Sequence, residues 1–527
     1  MRDFHLPGRS PAFGTNGMVA TSMPAATLAG LDVLRAGGNA LDAAIAAVAV
    51  LGVVEPQSTG IGGDCFCLYA PAGQNRVIAL NGSGRAPAGL SLDLLESQGI
   101  TALDPISPHS VTIPGAVSGW ERLLAAHGTK GLDELLAPAI RYAQEGHVIT
   151  PRVAADWQRE GPRLQAAGAR HFLPVPRAGD LFRHDALAET LRSIARHGAR
   201  GFYEGPVAAD MVATLRARGG VHTMEDFAAG QSAAEFVDPI SLDWRGRTVW
   251  QCPPNGSGLL VLMLLGILEG YEPLADPLDP LRLHRHLEAA RLVYRDRNAF
   301  LADPSQAAVP LARLLSPEYL AGLRGLIRDD AVLTDLPPPG ALAGPEKHTV
   351  TLSVVDRDGN ACSLINSIFW SFGSCIVAEG SGVVLQNRGL GFRLERGHPN
   401  CIAPNKRPMH TIIPGMVTQN DTAIMPYGVM GGQFQPMGQS WFLSNHVDYG
   451  LDIQEALDLP RVFVQGDTVE LERGIADSVA DRLMRLGHTI RRIEEPHGGG
   501  QAVLIDRARG VLIGASDPRK DGVAMGY

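Results

Sequence analysis

TVTLSVVD, residues 349–356, is followed closely by the turn sequence Asp358-Gly359-Asn360, and these residues decide the fold. The first stretch is rich in β-branched residues and begins with alternating apolar and polar side chains, a pattern that predicts a β-strand. The Asp-Gly turn predicts a hairpin whose returning strand lies at residues 361–368. Upstream, LPPPGALAGPEK at residues 336–347 is rich in proline, glycine and small residues, which predicts a flexible, exposed connector.

A connector that leads directly into a buried strand is typical of a chain that is cut at their junction. The first residue of the predicted strand is Thr349. Considered alone, a threonine at a strand start is usually structural, because threonine is common in strands. A cut before Thr349 would place a new N-terminus at the end of a strand.

The composition is ordinary for a large, soluble, globular enzyme. The chain has 527 residues, which suggests two or three domains or one large two-sheet domain. Hydrophobic residues make up 45% and charged residues 19%, and the net charge of −9 argues against nucleic acid or an anionic membrane as a partner. The apolar runs at 43–54 and 259–268 fall short of the roughly 20 residues of a membrane helix. They predict buried core helices.

Several function classes lack their signatures. The sequence has no GxSxG, HExxH, P-loop or GxGxxG motif. The six cysteines show no CxxC spacing, so we expect reduced thiols and no metal. The first residues contain no apolar stretch of signal-peptide length, from which we expect a cytoplasmic protein.

The remaining pattern is mixed helix and strand. Residues 25–54 predict two helices separated at Gly37-Gly38, with Asn39 as the N-cap of the second. Residues 65–69 predict a strand, and residues 118–333 a mostly helical region with breaks near Pro253-Pro254 and Gly256.

If the chain is cut before Thr349, this residue can act as a nucleophile. A threonine hydroxyl is a poor nucleophile and needs a base. An α-amino group, with a pKa near ~8, can take its proton at neutral pH, and the pair of threonine hydroxyl and terminal amine is a known nucleophile–base combination. Before the cut this nitrogen is an amide, so we expect an inactive precursor.

Several ordered motifs resemble those of the γ-glutamyltransferase family. The residues 349–356 with 358–360 resemble the start of its small subunit. Other matching stretches, in chain order, are Gly37-Gly38-Asn39-Ala40 with Asp42-Ala43-Ala44, Val53-Val54-Glu55-Pro56 with Gly60-Ile61-Gly62-Gly63, Pro404-Asn405-Lys406-Arg407-Pro408, Gly431-Gly432, and Gly514-Ala515-Ser516-Asp517-Pro518-Arg519 with Gly526-Tyr527.

This resemblance implies an α+β fold, the four-layer αββα sandwich of N-terminal-nucleophile hydrolases. Two stacked, mainly antiparallel sheets would lie between helical layers. The resemblance also implies self-cleavage between His348 and Thr349. The large fragment 1–348 and the small fragment 349–527 would then pair with each other within one globular domain, and a dimer of that heterodimer stays open.

The resemblance also assigns catalytic roles. Gly431 and Gly432 match the oxyanion-binding pair, Ser367 matches a hydroxyl that bonds the nucleophile Thr349, and Thr351 shares the strand face of Thr349 and could orient its amine. Purely structural interpretations stay open: a tight turn for the two glycines, and ordinary strand positions for Ser367 and Thr351.

The chain departs from the family where the substrate binds. The family's carboxylate-binding arginine corresponds to Leu92. Its two carboxylate-binding serines correspond to His410 and Thr411, and the three residues that hold the substrate's α-amino group correspond to Phe369, Arg388 and Gly391. An arginine at this place would repel an ammonium group and bind a carboxylate, although a structural ion pair would also explain it.

Phe369 and Trp370 would narrow the pocket or belong to the core. On a strand, only one of them would face the site.

The substituted positions favour a small carboxylate-bearing amide as the substrate. The pattern resembles that of the family's cytosolic amidohydrolase members, such as oxamate amidohydrolase of purine degradation, and this resemblance implies the cleavage of oxamate to oxalate and ammonia. A γ-glutamyl transferase or hydrolase acting on glutathione-like compounds is the alternative, and it would need an ammonium-binding carboxylate such as Asp64 or Glu55. A glutaryl-amide (cephalosporin) acylase and a non-catalytic homologue also stay open. No cofactor or metal is implied.

Overall fold

The computed structural model describes residues 8–334, 336 and 349–527. Most of the connector expected at 336–347, and His348 of the expected cleavage site, lie outside the described residues.

The strands are β1 (Ala12–Gly14), β2 (Gly17–Thr21), β3 (Asp64–Ala70), β4 (Ile78–Gly82), β5 (His147–Val148), β6 (Leu181–Phe182), β7 (Glu235–Val237), β8 (Ile240–Trp244), β9 (Arg247–Gln251), β10 (Val350–Asp356), β11 (Ala361–Ser367), β12 (Val377–Ala378), β13 (Val383–Val384), β14 (Gly415–Gln419), β15 (Thr422–Met430), β16 (Val462–Gln465), β17 (Thr468–Leu471), β18 (Thr489–Arg492), β19 (Gly499–Asp506), β20 (Val511–Ser516) and β21 (Val523–Gly526).

The α-helices are α1 (Pro24–Arg35), α2 (Ala40–Val54), α3 (Leu92–Ser97), α4 (Ala116–His127), α5 (Leu132–Leu135), α6 (Ala137–Glu145), α7 (Pro151–Ala167), α8 (Asp185–His197), α9 (Arg200–Tyr203), α10 (Gly205–Arg216), α11 (Met224–Gly230), α12 (Gly258–Leu268), α13 (Pro280–Phe300), α14 (Leu311–Leu314), α15 (Pro317–Leu326), α16 (Gln435–Val447), α17 (Ile453–Asp458) and α18 (Asp477–Arg485). Short 3₁₀ turns lie at Pro108–Ser110, Arg170–Phe172, Arg388–Gly391 and Gly432–Phe434.

Two seven-stranded antiparallel sheets stack face to face. Sheet I has the order β1-β20-β19-β15-β14-β9-β8, and sheet II has the order β21-β2-β10-β11-β3-β4-β7. Helix α2 packs on β10 and β11, while α12 and α16 pack on the far side of sheet I. The layers therefore run helix, sheet, sheet, helix, which confirms the expected αββα sandwich. Smaller sheets pair β12 with β13, β5 with β6, and β16 with β17 and β18.

Both large sheets mix strands from before and after Thr349. In sheet II, β2, β3, β4 and β7 come from before it, and β10, β11 and β21 from after it. In sheet I, β1, β8 and β9 come from before it, and the four central strands come from after it. The two parts of the sequence therefore share their sheets.

Helix α2 shows why this chain forms a buried central helix. It is apolar around its whole circumference, as a fully enclosed helix must be. The predicted N-cap is confirmed, because the Asn39 side chain accepts the amides of Leu41 and Asp42 while Asp42 accepts the amide of Asn39. Helix α12, the other apolar run, is likewise buried along nearly all of its length.

The predicted hairpin is confirmed as β10 and β11, which pair from Val350 opposite Asn366 onward. Alternate residues of β10 face opposite layers. Val350, Leu352 and Val354 pack in the apolar core with α2, whereas Ser353 donates to a carbonyl of sheet I, at Gln501. Thr349 has the parity of Ser353, so it faces the space between the sheets.

The region 118–333 is mostly helical, as expected, but it also contains β5 to β9. Strands β8 and β9 form one edge of sheet I. Their hairpin turns at Arg245 and Gly246, which have φ of 50° and 71°. The strong helical pattern on both sides hid these short strands.

Two expectations about side chains and membranes can be checked against the described residues. Among them, no cysteine is in a disulfide, although the sulfur atoms of Cys67 and Cys362 lie 3.6 Å apart. No helix in the described part of the chain is long and apolar enough to cross a bilayer.

Candidate active site

Thr349 and Ser367 meet at the open end of the central hairpin. Thr349 immediately precedes β10 and Ser367 ends β11, so the antiparallel register places them side by side. The Thr349 hydroxyl donates to Ser367 Oγ across 3.2 Å, and both side chains are buried. The structure therefore brings together the predicted nucleophile and the predicted partner hydroxyl.

Arg388 lies on the other side of Ser367. Its Nη2 donates to Ser367 Oγ at 3.2 Å and its Nη1 to Thr411 Oγ1 at 2.9 Å. The side chain is fully buried, yet no described residue accepts a hydrogen bond from its Nε. Two neutral hydroxyls are thus its hydrogen-bonding partners, so the structure does not support a direct ion pair.

Phe369 lies under the guanidinium. The Arg388 carbon Cζ is 4.2 Å from the centre of the Phe369 ring, a cation–π distance. Phe369 has a φ of 80°, which is unusual for a bulky residue, and its amide donates to Ser367 Oγ at 2.9 Å. Because β11 ends at Ser367, Phe369 and Trp370 lie beyond the strand, and the alternation expected for a strand does not apply. Trp370 instead lies beside Arg163.

His410, the residue before Thr411, is fully buried and donates a hydrogen bond to a carboxylate. Its Nε2 lies 3.0 Å from Asp64 Oδ2, and its Nδ1 accepts the amide of Ile412 at 3.3 Å. Burial, and then the charge of Arg388, lower the pKa of His410 to about 4, so the ring is neutral at neutral pH. His410 therefore contacts Asp64, and among the described residues it makes no hydrogen bond to Thr349.

Asp64 supplies the negative charge that acts on Arg388. Burial lowers the pKa of the Arg388 guanidinium to about 9, while the charge of Asp64 acts in the opposite direction. Asp64 is fully buried and lies opposite Ser367 in the pairing of β3 with β11. Thr349, Ser367 and Asp64 therefore follow one another across three neighbouring strands on the same face of sheet II.

Gly431 and Gly432 lie between the end of β15 and the start of α16. Their φ values are 121° and 56°, a combination that favours glycine, and a Cβ on Gly431 would lie 2.9 Å from the Gly498 backbone. Their amides precede a helix, where the helix dipole favours negative charge. In the described residues neither glycine is hydrogen-bonded to Thr349.

Thr351 also faces the space between the sheets. Its hydroxyl is fully buried and has no hydrogen-bonding partner among the described residues. It lies against Gly428 of β15, where an added Cβ would be 2.0 Å from Thr351 Oγ1. Its position therefore reflects the packing of the two sheets.

Three other positions chosen from the sequence make none of these contacts. Leu92 begins α3 within a separate apolar cluster with Leu90 and Leu95. Glu55 accepts a hydrogen bond from Ser22, and the positive charge of Lys520 also acts on it. Gly391 ends the 3₁₀ turn that begins at Arg388.

Sequence reasoning gave Asp64 too little weight and missed Gln386. The Gln386 side chain donates to Asp64 Oδ1 at 2.8 Å and to Thr112 at 3.0 Å. A charged residue directly after Gly62-Gly63, at the start of an otherwise apolar strand, was the available signal. Within the described residues, no group of three or more His, Cys, Asp or Glu side chains is placed to hold a metal ion.

Comparisons with known proteins find relatives along nearly the whole chain. The family model for gamma-glutamyltranspeptidase matches residues 26–527. The chain is 34% identical over 530 residues to the glutathione hydrolase-like YwrD proenzyme of Bacillus subtilis, with 97% of this chain and 99% of that protein covered. It is 35% identical over 532 residues to the oxamate amidohydrolase proenzyme of Klebsiella pneumoniae, with the same coverage. The crystal structure of cephalosporin acylase from Bacillus halodurans superposes with a TM-score of 0.92 at 39% identity, covering 100% of this chain and 99% of that one.

Proposed function

The chain belongs to the γ-glutamyltranspeptidase family and is an N-terminal-nucleophile amidohydrolase, and on this premise we propose that it hydrolyses a small carboxylate-bearing amide, oxamate foremost. Thr349 is the proposed nucleophile, freed by self-cleavage after His348. The fragments 1–348 and 349–527 then remain paired.

The proposed reaction needs only groups of this chain and water. The α-amino group of Thr349 takes the proton of its own hydroxyl, and the oxygen attacks the amide carbonyl. The Gly431 and Gly432 amides stabilise the oxyanion. The C–N bond breaks, ammonia leaves with the proton held by the amine, and an ester on Thr349 remains. Water then attacks the ester, which releases oxalate and restores the hydroxyl.

The observation that carries the substrate proposal is the short path from Thr349 to Arg388. Two consecutive hydrogen bonds of 3.2 Å, through Ser367, separate the hydroxyl from the guanidinium. In oxamate the carboxylate is bonded directly to the amide carbonyl that Thr349 would attack. A guanidinium this close to the nucleophile suits such a carboxylate, because it can bind the two oxygens with paired hydrogen bonds. A glutaryl chain would hold its carboxylate three methylenes further away.

The γ-glutamyl alternative is supported by several relatives that are named glutathione hydrolase or glutathione hydrolase-like proenzymes. That substrate carries an α-ammonium group, which needs a carboxylate partner in a buried site. Asp64 is close, but both of its oxygens already accept hydrogen bonds from the protein. A cephalosporin-type acylase is the other alternative, supported by the structural relative.

Mass measurement under denaturing conditions tests the nucleophile. We expect the wild-type protein to give fragments 1–348 and 349–527, and the Thr349→Ala variant to stay intact. An intact wild-type chain after long incubation at neutral pH would contradict self-cleavage.

A substrate panel tests the acid-binding role of Arg388. The panel contains oxamate, a glutaryl amide and a γ-glutamyl anilide, each with and without glycylglycine as acceptor. We expect oxamate to be cleaved best, and Arg388→Gln to lower kcat/KM for oxamate by about 100-fold, the loss of a charged, bidentate contact. Arg282→Gln is the control, because Arg282 is a partly buried arginine that stacks on Trp441 and Tyr449 instead. Acceptor-stimulated release from the anilide would favour the transferase instead.

A further inference from the structure

Asp64 accepts hydrogen bonds from four different segments of the chain. Its Oδ1 accepts the amides of Gly84 at 2.9 Å and Gly115 at 3.0 Å, together with the Gln386 side chain. Its Oδ2 accepts His410 Nε2. A buried carboxylate with this many donors is held in one orientation. The Asp64 carboxylate is therefore fixed in place at the start of β3.

The Asp64 carboxylate acts on Arg388 without a direct hydrogen bond or ion pair. No ion pair joins Arg388 to a carboxylate in the described part of the chain, although Asp64 is the charge that raises the pKa of the guanidinium against burial. The other groups around Arg388 are neutral: the Ser367 and Thr411 hydroxyls, the Phe369 ring, and His410, whose ring is neutral at neutral pH. Arg407, which also lies near His410, is paired with Glu235.

A buried arginine needs a counter-charge, because an isolated buried cation is costly. Direct contact with a carboxylate would meet that need, but it would also occupy the N–H groups that a substrate carboxylate must use. At this site the counter-charge is present, and its own oxygens are taken by backbone amides, Gln386 and His410. The charge of Arg388 is therefore balanced by Asp64, while its Nε has no hydrogen-bonding partner among the described residues.

We propose that Asp64 is a positioning residue for this site: a carboxylate held out of contact, which balances Arg388 and keeps its guanidinium beside Ser367, free to bind the substrate's carboxylate. Gln386 and His410 hold the Asp64 carboxylate in place by hydrogen bonds. The proposal rests on the proposed function, because it presumes that Arg388 binds the acid group of the substrate.

A double-mutant cycle of Asp64→Asn and Arg388→Gln tests this proposal. The substrates are oxamate and its uncharged analogue oxamide, since their ratio of kcat/KM isolates the carboxylate. We expect Asp64→Asn to lower that ratio at least about tenfold in the wild-type background and by less than about twofold in the Arg388→Gln background, because a residue that acts through a partner loses its effect with the partner.

Asp356→Asn is the matched control. Asp356 is also a buried aspartate on sheet II that accepts the amides of Ala40, Asp358 and Asn360 and the Asn360 side chain, but it has no arginine partner in those contacts. We expect Asp356→Asn to leave the oxamate-to-oxamide ratio unchanged. Equal effects of Asp64→Asn in both backgrounds, or the same loss from Asp356→Asn, would overturn the proposal.

Two readouts need no substrate, so they separate this proposal from the proposed function. The rate of self-cleavage should fall in each single variant and fall no further in the double variant. The midpoint of thermal unfolding should drop less in the double variant than the two single losses combined, since removing both charges restores balance. If no amide in the panel is cleaved, the proposed function fails. Additive losses in both readouts would then still refute the role of Asp64.

Discussion

Ser367 is the residue through which the candidate nucleophile and the candidate acid-binding arginine meet. Its oxygen accepts hydrogen bonds from Thr349, Arg388 and the Phe369 amide. We expect Ser367→Ala to lower kcat by about 10- to 100-fold, since it removes a hydroxyl that orients the nucleophile. KM for a carboxylate substrate should also rise, because the guanidinium loses an acceptor.

Steady-state kinetics on the cleaved protein would measure both effects. Ser367→Thr should retain most of the activity, because it keeps the hydroxyl. Ser363→Ala is the control, as Ser363 lies on the same face of β11 but donates to the Tyr427 carbonyl in the interior. Activity of Ser367→Ala within about twofold of wild type would contradict the orienting role.

At the residue scale, the hairpin pattern placed Thr349 at the start of a strand, and the family resemblance pointed to Ser367. They could not show that Asp64 lies opposite Ser367, because that contact depends on how β3 pairs with β11 across about 300 positions of sequence. They also could not give the state of His410. Its pKa depends on complete burial, which local sequence does not encode.

At the scale of elements, the packing of β10 against β15 leaves no room beside Thr351. A Cβ on Gly428 would lie 2.0 Å from Thr351 Oγ1 and 3.1 Å from Thr351 Cβ. We therefore expect Gly428→Ala to lower the free energy of unfolding by about 1–3 kcal/mol, the usual effect of overpacking a core. Because β10 carries Thr349 at its start, self-cleavage should also slow.

Chemical denaturation and the self-cleavage rate would measure these effects. Adding Thr351→Ala should restore part of the stability, since it removes the closer of the two clashing atoms. A Gly428→Ala variant as stable as the wild type would show that the sheets can separate locally. Such sheet-to-sheet contacts lie beyond sequence patterns, which predict β10 and β11 well but cannot show which strand of the opposite sheet covers them.

At the scale of the whole molecule, a set of buried, neutral histidines makes stability depend on pH. Burial lowers the pKa of each to between about 3 and about 4, from an ordinary value of 6.5; the set consists of His147, His184, His222, His286, His410, His488 and His497. The unfolded chain therefore binds more protons than the folded protein between these values. Below pH 6.5, each such histidine should cost about 1.4 kcal/mol of stability per pH unit until its folded pKa is reached.

We accordingly expect the midpoint of thermal unfolding to fall steadily as the pH is lowered from 7.5 to about 4.5. Calorimetry across that range would measure it. His222→Gln should reduce the slope, because glutamine keeps a donor for the Val111 carbonyl that His222 Nε2 contacts and cannot take up a proton. A midpoint that is constant down to pH 4.5 would contradict this account.

The shared sheets have a consequence for how the two fragments behave after a cut before Thr349. Separating them would break the ladders β2–β10, β3–β11, β2–β21, β1–β20 and β9–β14 together, and would leave unpaired edges on both sides. Dilution should therefore not release either fragment, and activity per molecule should not depend on concentration. Isotope-labelled and unlabelled cleaved protein, mixed and left to stand, should form no hybrids: each enzyme molecule keeps for life the fragment with which it folded.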